Sequence, residues 1–200
     1  MKRFLILIAL ITCFSAPFFA ENDTPEDDIT QNFVYEMNGK GDQYIKIGIF
    51  ANFPLNFGNP FSGGQLYTGG AAELGYHRFI SSTLTLGMDL MVGYNPTIGS
   101  NSLTIVPVTF GITWQPTLGK FEFPIHIGGG FAFETCQNKK YFPSPALKFE
   151  AGSFFRLNES WSFGLTGNYL YLPEWAKVDD EIEYDAGSFA QVSASVRYHF

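Results

Sequence analysis

Residues 189–200, FAQVSASVRYHF, alternate strictly between apolar and polar side chains and end the chain on an aromatic ring. Ala190, Val192, Ala194, Val196, Tyr198 and Phe200 share one parity; Gln191, Ser193, Ser195, Arg197 and His199 share the other. A β-strand sends successive side chains to opposite faces, so this segment is a strand with one apolar and one polar side. A last strand with a free apolar face implies a closed sheet whose outside meets lipid. Only closure leaves no unpaired backbone edge in hydrocarbon.

The same alternation predicts seven earlier strands over residues 44–56, 66–78, 83–94, 103–115, 121–135, 146–157 and 161–172. Each is close to the roughly 9–11 residues that a tilted membrane strand needs. The third sets Leu84, Leu86, Met88, Leu90, Val92 and Tyr94 against Thr85, Gly87, Asp89 and Gly93. The fifth sets Phe121, Phe123, Ile125, Ile127, Phe131 and Phe133 against Glu122, His126, Gly128, Gly130 and Glu134. The second is weaker, with Gly69, Gly70, Ala71, Ala72 and Gly75. Connections after strands two, four and six are short (79–82, 116–120, 158–160), and the others long (57–65, 95–102, 136–145, 173–188). Short turns on one side and long loops on the other predict an all-β, eight-stranded antiparallel up-and-down transmembrane β-barrel, with both termini on the turn side.

A soluble barrel would turn the large apolar set inward. Eight strands enclose only enough space for their own side chains, and this many Ile, Leu and Phe would overfill it. The small and polar set therefore lines the lumen and the apolar set faces lipid. Aromatic residues at strand ends fit a membrane belt: Trp114, Phe121, Trp161, Tyr198 and Phe200 at the turn rim, and Phe53, Tyr94, Tyr169 and Tyr171 toward the loops.

Residues 1–20 carry Lys2 and Arg3, an apolar run and Ala20, the pattern of a secretory signal peptide. Cys13 is a poor fit to a lipoprotein cleavage site. Cleavage after Ala20 leaves Cys136 as the sole cysteine, which excludes an internal disulfide and a cysteine metal site. It also leaves 10 basic against 19 acidic residues, a net of −9. Acids concentrate in 21–42, an expected flexible N-terminal segment ahead of a barrel over 43–200, and in 172–187. Basic patches are missing, so nucleic acid is not an expected partner.

On strand pattern, loop asymmetry and the ending Val196-Arg197-Tyr198-His199-Phe200, residues 43–200 resemble the small eight-stranded outer-membrane barrels, the class of OmpX, OmpW and the OmpA membrane domain. The resemblance implies that Val196, Tyr198 and Phe200 form the signal read by the outer-membrane assembly machinery. It also implies the outer membrane of a diderm bacterium, with periplasmic termini and extracellular loops.

Inward parity collects Lys46, Glu73, Asp89, Glu122, Glu134, Lys148, Glu150, Arg156 and Arg197, with His77, His126 and His199. An unpartnered charge in that interior costs several kcal/mol, so the expectation is a salt-bridged polar network. Hairpin neighbours suggest Glu122 with Arg156, Glu134 with Lys148, and Lys46 bridging Glu73 and Asp89. Facing carboxylates such as Glu73 and Asp89 also suit acid–base chemistry. No His falls in a long loop, however, where a lipid-modifying site would lie. The expectation is no enzyme, no cofactor and no metal, the acidic fourth loop having no EF-hand spacing. The expected role is structural or interactive, through lipid contact and a host or envelope ligand at the loops. The alternative is a narrow channel or transporter for small or apolar solutes, opened laterally where glycine and alanine thin strand two.

Overall fold

The computed structural model describes residues 38–56, 66–97, 102–136, 139–178 and 181–200. The leader, most of the acidic segment and residues 57–65 of the first long loop lie outside them. The described part belongs to one unit, Glu36–Phe200, and holds ten strand segments and no helix. They are β1 Gln43–Asn56, β2 Gly69–Phe79, β3 Leu84–Pro96, β4 Ser102–Trp114, β5 Thr117–Leu118, β6 Phe121–Glu122, β7 Ile125–Cys136, β8 Lys139–Arg156, β9 Trp161–Val178 and β10 Glu181–His199. All pairings are antiparallel between neighbours, and β1–β10 together with β8–β9 close the ring. The wall is a closed barrel of eight strands. The seam is tied to its last residue, where Gln43 and Phe200 exchange backbone hydrogen bonds of 3.1 and 3.0 Å.

Burial follows sequence parity. Ile49 is 73% exposed and Leu165 65%, whereas Lys46 one strand face away is 2% exposed. Outer rings form two chains on the turn side: Phe121 to Phe155 at 5.2 Å and Phe155 to Phe163 at 6.0 Å, and Trp161 to Tyr198 at 4.9 Å and Tyr198 to Phe200 at 6.0 Å between centroids. Such edge-to-face and offset pairs add to burial where no water competes.

Proline and glycine chemistry explains where the expected strands needed redrawing. The fifth strand is not continuous: it breaks between β6 and β7 at Phe123-Pro124, because Pro124 has no N–H for the ladder. β5 and β6 form a tight turn-side hairpin with Gly119 at φ 59°, a left-handed position that suits glycine. Strand two starts at Gly69, and Leu66 makes only an isolated bridge to Thr97. A Cβ on Gly70 would meet only the Phe50 carbonyl oxygen, at 3.7 Å, but two other glycines of the strand are closely packed. A Cβ on Gly75 would fall 2.3 Å from Asp89 Oδ1, and one on Gly69 1.9 Å from the Tyr94 carbonyl oxygen. Gly69 and Gly75 thus make room for neighbouring atoms.

The third and fourth long loops are largely strand. β8 begins at Lys139, and β9 and β10 run to Val178 and from Glu181. The β8–β9 ladder nevertheless ends at Leu147↔Tyr171. Two residues further along that register, Pro145 would fall opposite Pro173. Neither supplies an amide donor, so the ladder cannot continue through them. Above this point β8 stays with β7, with a register shift between Ala132 and Glu134, while β9 stays with β10. β10 leaves β1 at Ser188↔Asn56. Beyond this point Pro173–Val178 pairs with Glu181–Ala186. They make a two-stranded ribbon that extends about 20 Å past the wall at ~3.3 Å per residue.

Candidate functional site

Inward parity carries side chains from every wall strand into a lumen too narrow for bulk water, and they fill it in layers. At the turn end, Arg197 from β10 lies with its guanidinium carbon 3.5 Å from the Phe154 ring centroid and 4.7 Å from that of Tyr44. Its Nη1 donates to Gln115 Oε1 at 2.9 Å and to Glu122 Oε2 at 3.4 Å. Gln115 Nε2 donates to the same carboxylate at 3.0 Å, and Arg156 Nη1 lies 3.3 Å from Glu122 Oε1. One carboxylate thus serves two guanidinium groups. His199 Nε2 meets Ser162 Oγ at 3.0 Å in the same layer, with both residues buried inside the wall.

The middle layer is built from β1, β2, β3 and β8. Lys46 Nζ lies 2.7 Å from Glu73 Oε1 and 2.9 Å from Glu150 Oε1, with Asp89 at 3.8 Å. Lys148 Nζ lies 2.6 Å from Glu73 Oε2, 2.9 Å from Asp89 Oδ2 and 3.0 Å from Glu150 Oε2. Asp89 also meets His77 Nε2 at 3.1 Å and His126 Nε2 at 3.5 Å. Thr113 Oγ1 holds His126 Nδ1 at 2.9 Å. Three carboxylates share two ammonium groups here, while one carboxylate shares two guanidinium groups below. Over both layers Glu73, Asp89, Glu122 and Glu150 balance Lys46, Lys148, Arg156 and Arg197.

Higher up, amides and apolar groups take over, with one buried carboxylate, Glu134, opposite Ile105. Asn52 Nδ2 donates to Asn95 Oδ1 at 2.6 Å, and Gln191 Nε2 donates to Asn52 Oδ1 at 3.1 Å. Phe50, Ala71 and Met91 pack as one small cluster. At the loop end Leu103, Ile105, Ala132, Ala146, Leu170, Leu172 and Phe189 form a second cluster, each no more than 1% exposed. This apolar layer sits inside the barrel at the height where β8 and β9 part.

The structure brings most of the anticipated ionic residues together, but not always as hairpin neighbours. Glu122 meets Arg156, and Lys46 spans Glu73 and Asp89. Glu134 and Lys148 do not meet as expected: the β7–β8 register sets Gly128 opposite Lys148 and Tyr141 opposite Glu134. The early start of β8 and its register shift move the hairpin by several residues. Lys148 instead reaches across the lumen to β2 and β3. Glu73 lies diagonal to Asp89, whose direct partner is Gly75, and both carboxylates are held by lysines rather than left to share a proton. Val196, Tyr198 and Phe200 face outward at the turn rim. Sequence reasoning missed the apolar layer, although Leu170, Leu172 and Phe189 carry inward parity. It also missed the opposition of Pro145 and Pro173, visible once hairpin register is counted from the short turn at 158–160.

A family model matches residues 24–198. An uncharacterized protein of Treponema pallidum (strain Nichols) is 31% identical over 83% of this chain and 80% of its own length. A second from the same organism is 26% identical over 67% of this chain, which spans half of it. Among solved structures, the barrel is similar to Neisserial surface protein A (TM-score 0.63, 10% identity, covering 80% of this chain and 99% of that one). It is similar to the outer membrane protein OprG from Pseudomonas aeruginosa (TM-score 0.54, 14% identity, 82% and 98%). It is also similar to Ail, the attachment invasion locus protein of Yersinia pestis, in complex with the heparin analogue sucrose octasulfate (TM-score 0.51, 12% identity, 80% and 99%). At these identities the likeness is one of fold.

Proposed function

This chain belongs to the family that it shares with the 31% identical protein of Treponema pallidum, and from that premise we propose an integral outer-membrane protein with a sealed lumen and a working surface at its loop end. In this reading residues 1–20 are removed as a signal peptide and residues 21–42 are a solvated periplasmic lead-in. Val196, Tyr198 and Phe200 are read by the assembly machinery, the termini stay periplasmic and the loops are extracellular. The role is interaction rather than catalysis: the buried Ser162–His199 contact offers no face to lipid or solvent.

The observation that carries the sealed lumen is the middle ionic layer. Lys46 and Lys148, each 2% exposed or less, are held by Glu73, Asp89 and Glu150 from the opposing walls. Opening a water path would strip these contacts, and a carboxylate or ammonium left unpaired in a low-dielectric interior costs several kcal/mol. Planar-bilayer recording of the purified protein tests it. The expected trace is electrically silent; stepwise conductance from the wild-type barrel would overturn the reading.

A second reading, lateral passage of apolar solutes, has one observation in its favour: the wall parts between β8 and β9 beside the apolar layer of Leu170, Leu172 and Ala146. A radiolabelled long-chain hydrocarbon entering protein-containing vesicles faster than empty ones would favour it. Equal rates would leave the loop-end role. Orientation has its own test: with Cys136→Ser and Lys177→Cys, an impermeant thiol reagent should label intact cells. Labelling only after lysis would invert the topology.

A further inference from the structure

We propose that the turn-side rim of β1 and β2 carries a binding site for the phosphodiester of a phospholipid headgroup, formed by Arg78 and the side-chain amide of Gln43. The inference rests on the outward parity of the wall meeting lipid. Arg78 is exposed, and on β2 it shares the outward parity of Leu74 and Tyr76. Among the described residues on the turn side of the point where β8 and β9 part, no other strand residue of outward parity is charged. The register row that holds it runs through Leu86, Ile112 and Ile127 in one direction. In the other it reaches Gln43, which exchanges backbone hydrogen bonds with Phe200. The adjacent row of the same face holds Tyr76, Ile45, Tyr198 and Trp161. Arg78 and Gln43 are thus a polar pair set into an apolar row, at the height where the aromatic belt ends.

Hydrogen bonding gives the pair its chemistry. Tyr76 Oη donates to Gln43 Oε1, so the amide carbonyl is occupied and the Nε2 hydrogens remain to donate. Arg78, directly across the ladder from Gln43, adds the five N–H groups of a guanidinium fork. Among the described residues neither Arg78 nor Gln43 Nε2 meets an acceptor. Asp42, next to Gln43 in sequence, accepts instead from the Gly39 amide at 2.7 Å. A cation on the lipid face is costly at the bilayer midplane and tolerated near the interface, and the acceptor abundant there is phosphate. The non-bridging oxygens of a phosphodiester match the guanidinium fork two at a time, which leaves Gln43 Nε2 for an ester oxygen of the same headgroup. Leu86, Met88, Tyr198 and Phe200 around the pair are each at least 40% exposed and give the acyl chains an apolar bed. Inorganic phosphate has the oxygens but no chains to lie on that bed, so the site selects a lipid.

Beyond Arg3 of the leader the chain has three arginines, Arg78, Arg156 and Arg197, and the last two are buried in the lumen. Carbon–phosphorus dipolar recoupling by solid-state NMR therefore isolates the site. The full barrel, labelled at every arginine Cζ, is reconstituted in phosphatidylglycerol bilayers. One guanidinium signal should be dephased by phosphorus, and Arg78→Gln should abolish the effect while heat-modifiable gel mobility stays native. In native mass spectrometry from phosphorus-free detergent, retention of one phosphatidylglycerol should fall roughly tenfold in Arg78→Gln. Tyr76→Phe, which frees the Gln43 amide to turn, should lower it less, and diacylglycerol with the same chains should not be retained. No dephasing in bilayers, equal phospholipid retention by wild type and Arg78→Gln, or equally strong retention of diacylglycerol would overturn the proposal. The same dephasing by inorganic phosphate in detergent would overturn it too, by making the site one for a free anion. Dephasing that appears only after removal of the acidic residues 21–37 would mean that the chain's own carboxylates occupy it. A barrel that inserts yet shows no phosphorus contact sinks this inference alone; one that fails to insert sinks the reading beneath it.

Discussion

Lys148 shows what a single residue contributes to this barrel. From β8 it reaches carboxylates on β2 and β3 across the lumen, as well as Glu150 on its own strand. Replacing it with methionine keeps the apolar stem but leaves Glu73 and Asp89 short of a cation. The expected loss is about 3–5 kcal/mol, read as a lower urea midpoint for folding into detergent micelles. Lys46→Met should act in the same direction and lower the melting temperature. Adding Glu73→Gln to Lys148→Met should recover part of the loss, because it removes the charge left unpaired. If the double variant is as unstable as the two single losses summed, the layer is not a shared network. Gly130 is a second single-residue test. A Cβ there would lie 1.9 Å from the Val108 carbonyl oxygen, backbone that cannot rotate away. Gly130→Ala should therefore destabilise by roughly 1–3 kcal/mol, whereas Gly129→Ala, with the Leu147 side chain at 3.6 Å and the Ala146 carbonyl oxygen at 3.9 Å, should cost little. Equal effects at the two positions would contradict the packing described.

The strands show which signals the sequence carries and where they fade. Parity was legible wherever one face met lipid and the other the lumen, since the two environments demand opposite chemistry at every second residue. It told inward Asp89 from outward Met88 with no structure in hand. It faded toward the loop end, where prolines and charges interrupt the alternation. The segments KKYFPSP and PEWAKV therefore resembled loops although their backbones pair. Contacts between Lys46 and Glu150, or Lys148 and Glu73, were not legible either. They exist only because the ring closes and brings distant strands face to face across the lumen. The proline opposition is an element-scale device with its own test. Pro145→Val with Pro173→Thr restores two amide donors, so β8 and β9 should pair further up. Hydrogen exchange at Trp175 and Lys177, whose amides face β8, should then slow by an order of magnitude or more as those amides gain protection. Unchanged exchange would mean that something other than the prolines parts the wall.

At the scale of the whole molecule, two solvents and one closed sheet explain the design. Hydrocarbon outside accepts Ile, Leu, Val and Phe in numbers that no lumen of this width would hold. The interior is then left to paired charges, amides and a mostly apolar layer at the loop end that also holds Glu134. In the proposed function, a sealed lumen moves recognition to the loop end of the barrel. The claim beneath all of this is that the apolar parity of the strands meets acyl chains. Its most direct test places one fluorophore at mid-belt: Leu165→Trp, with Trp114, Trp161 and Trp175 replaced by phenylalanine, reconstituted in vesicles whose acyl chains carry bromine. Strong quenching by the brominated chains and indifference to aqueous acrylamide is the expected result. Quenching by acrylamide with no response to bromine would contradict it.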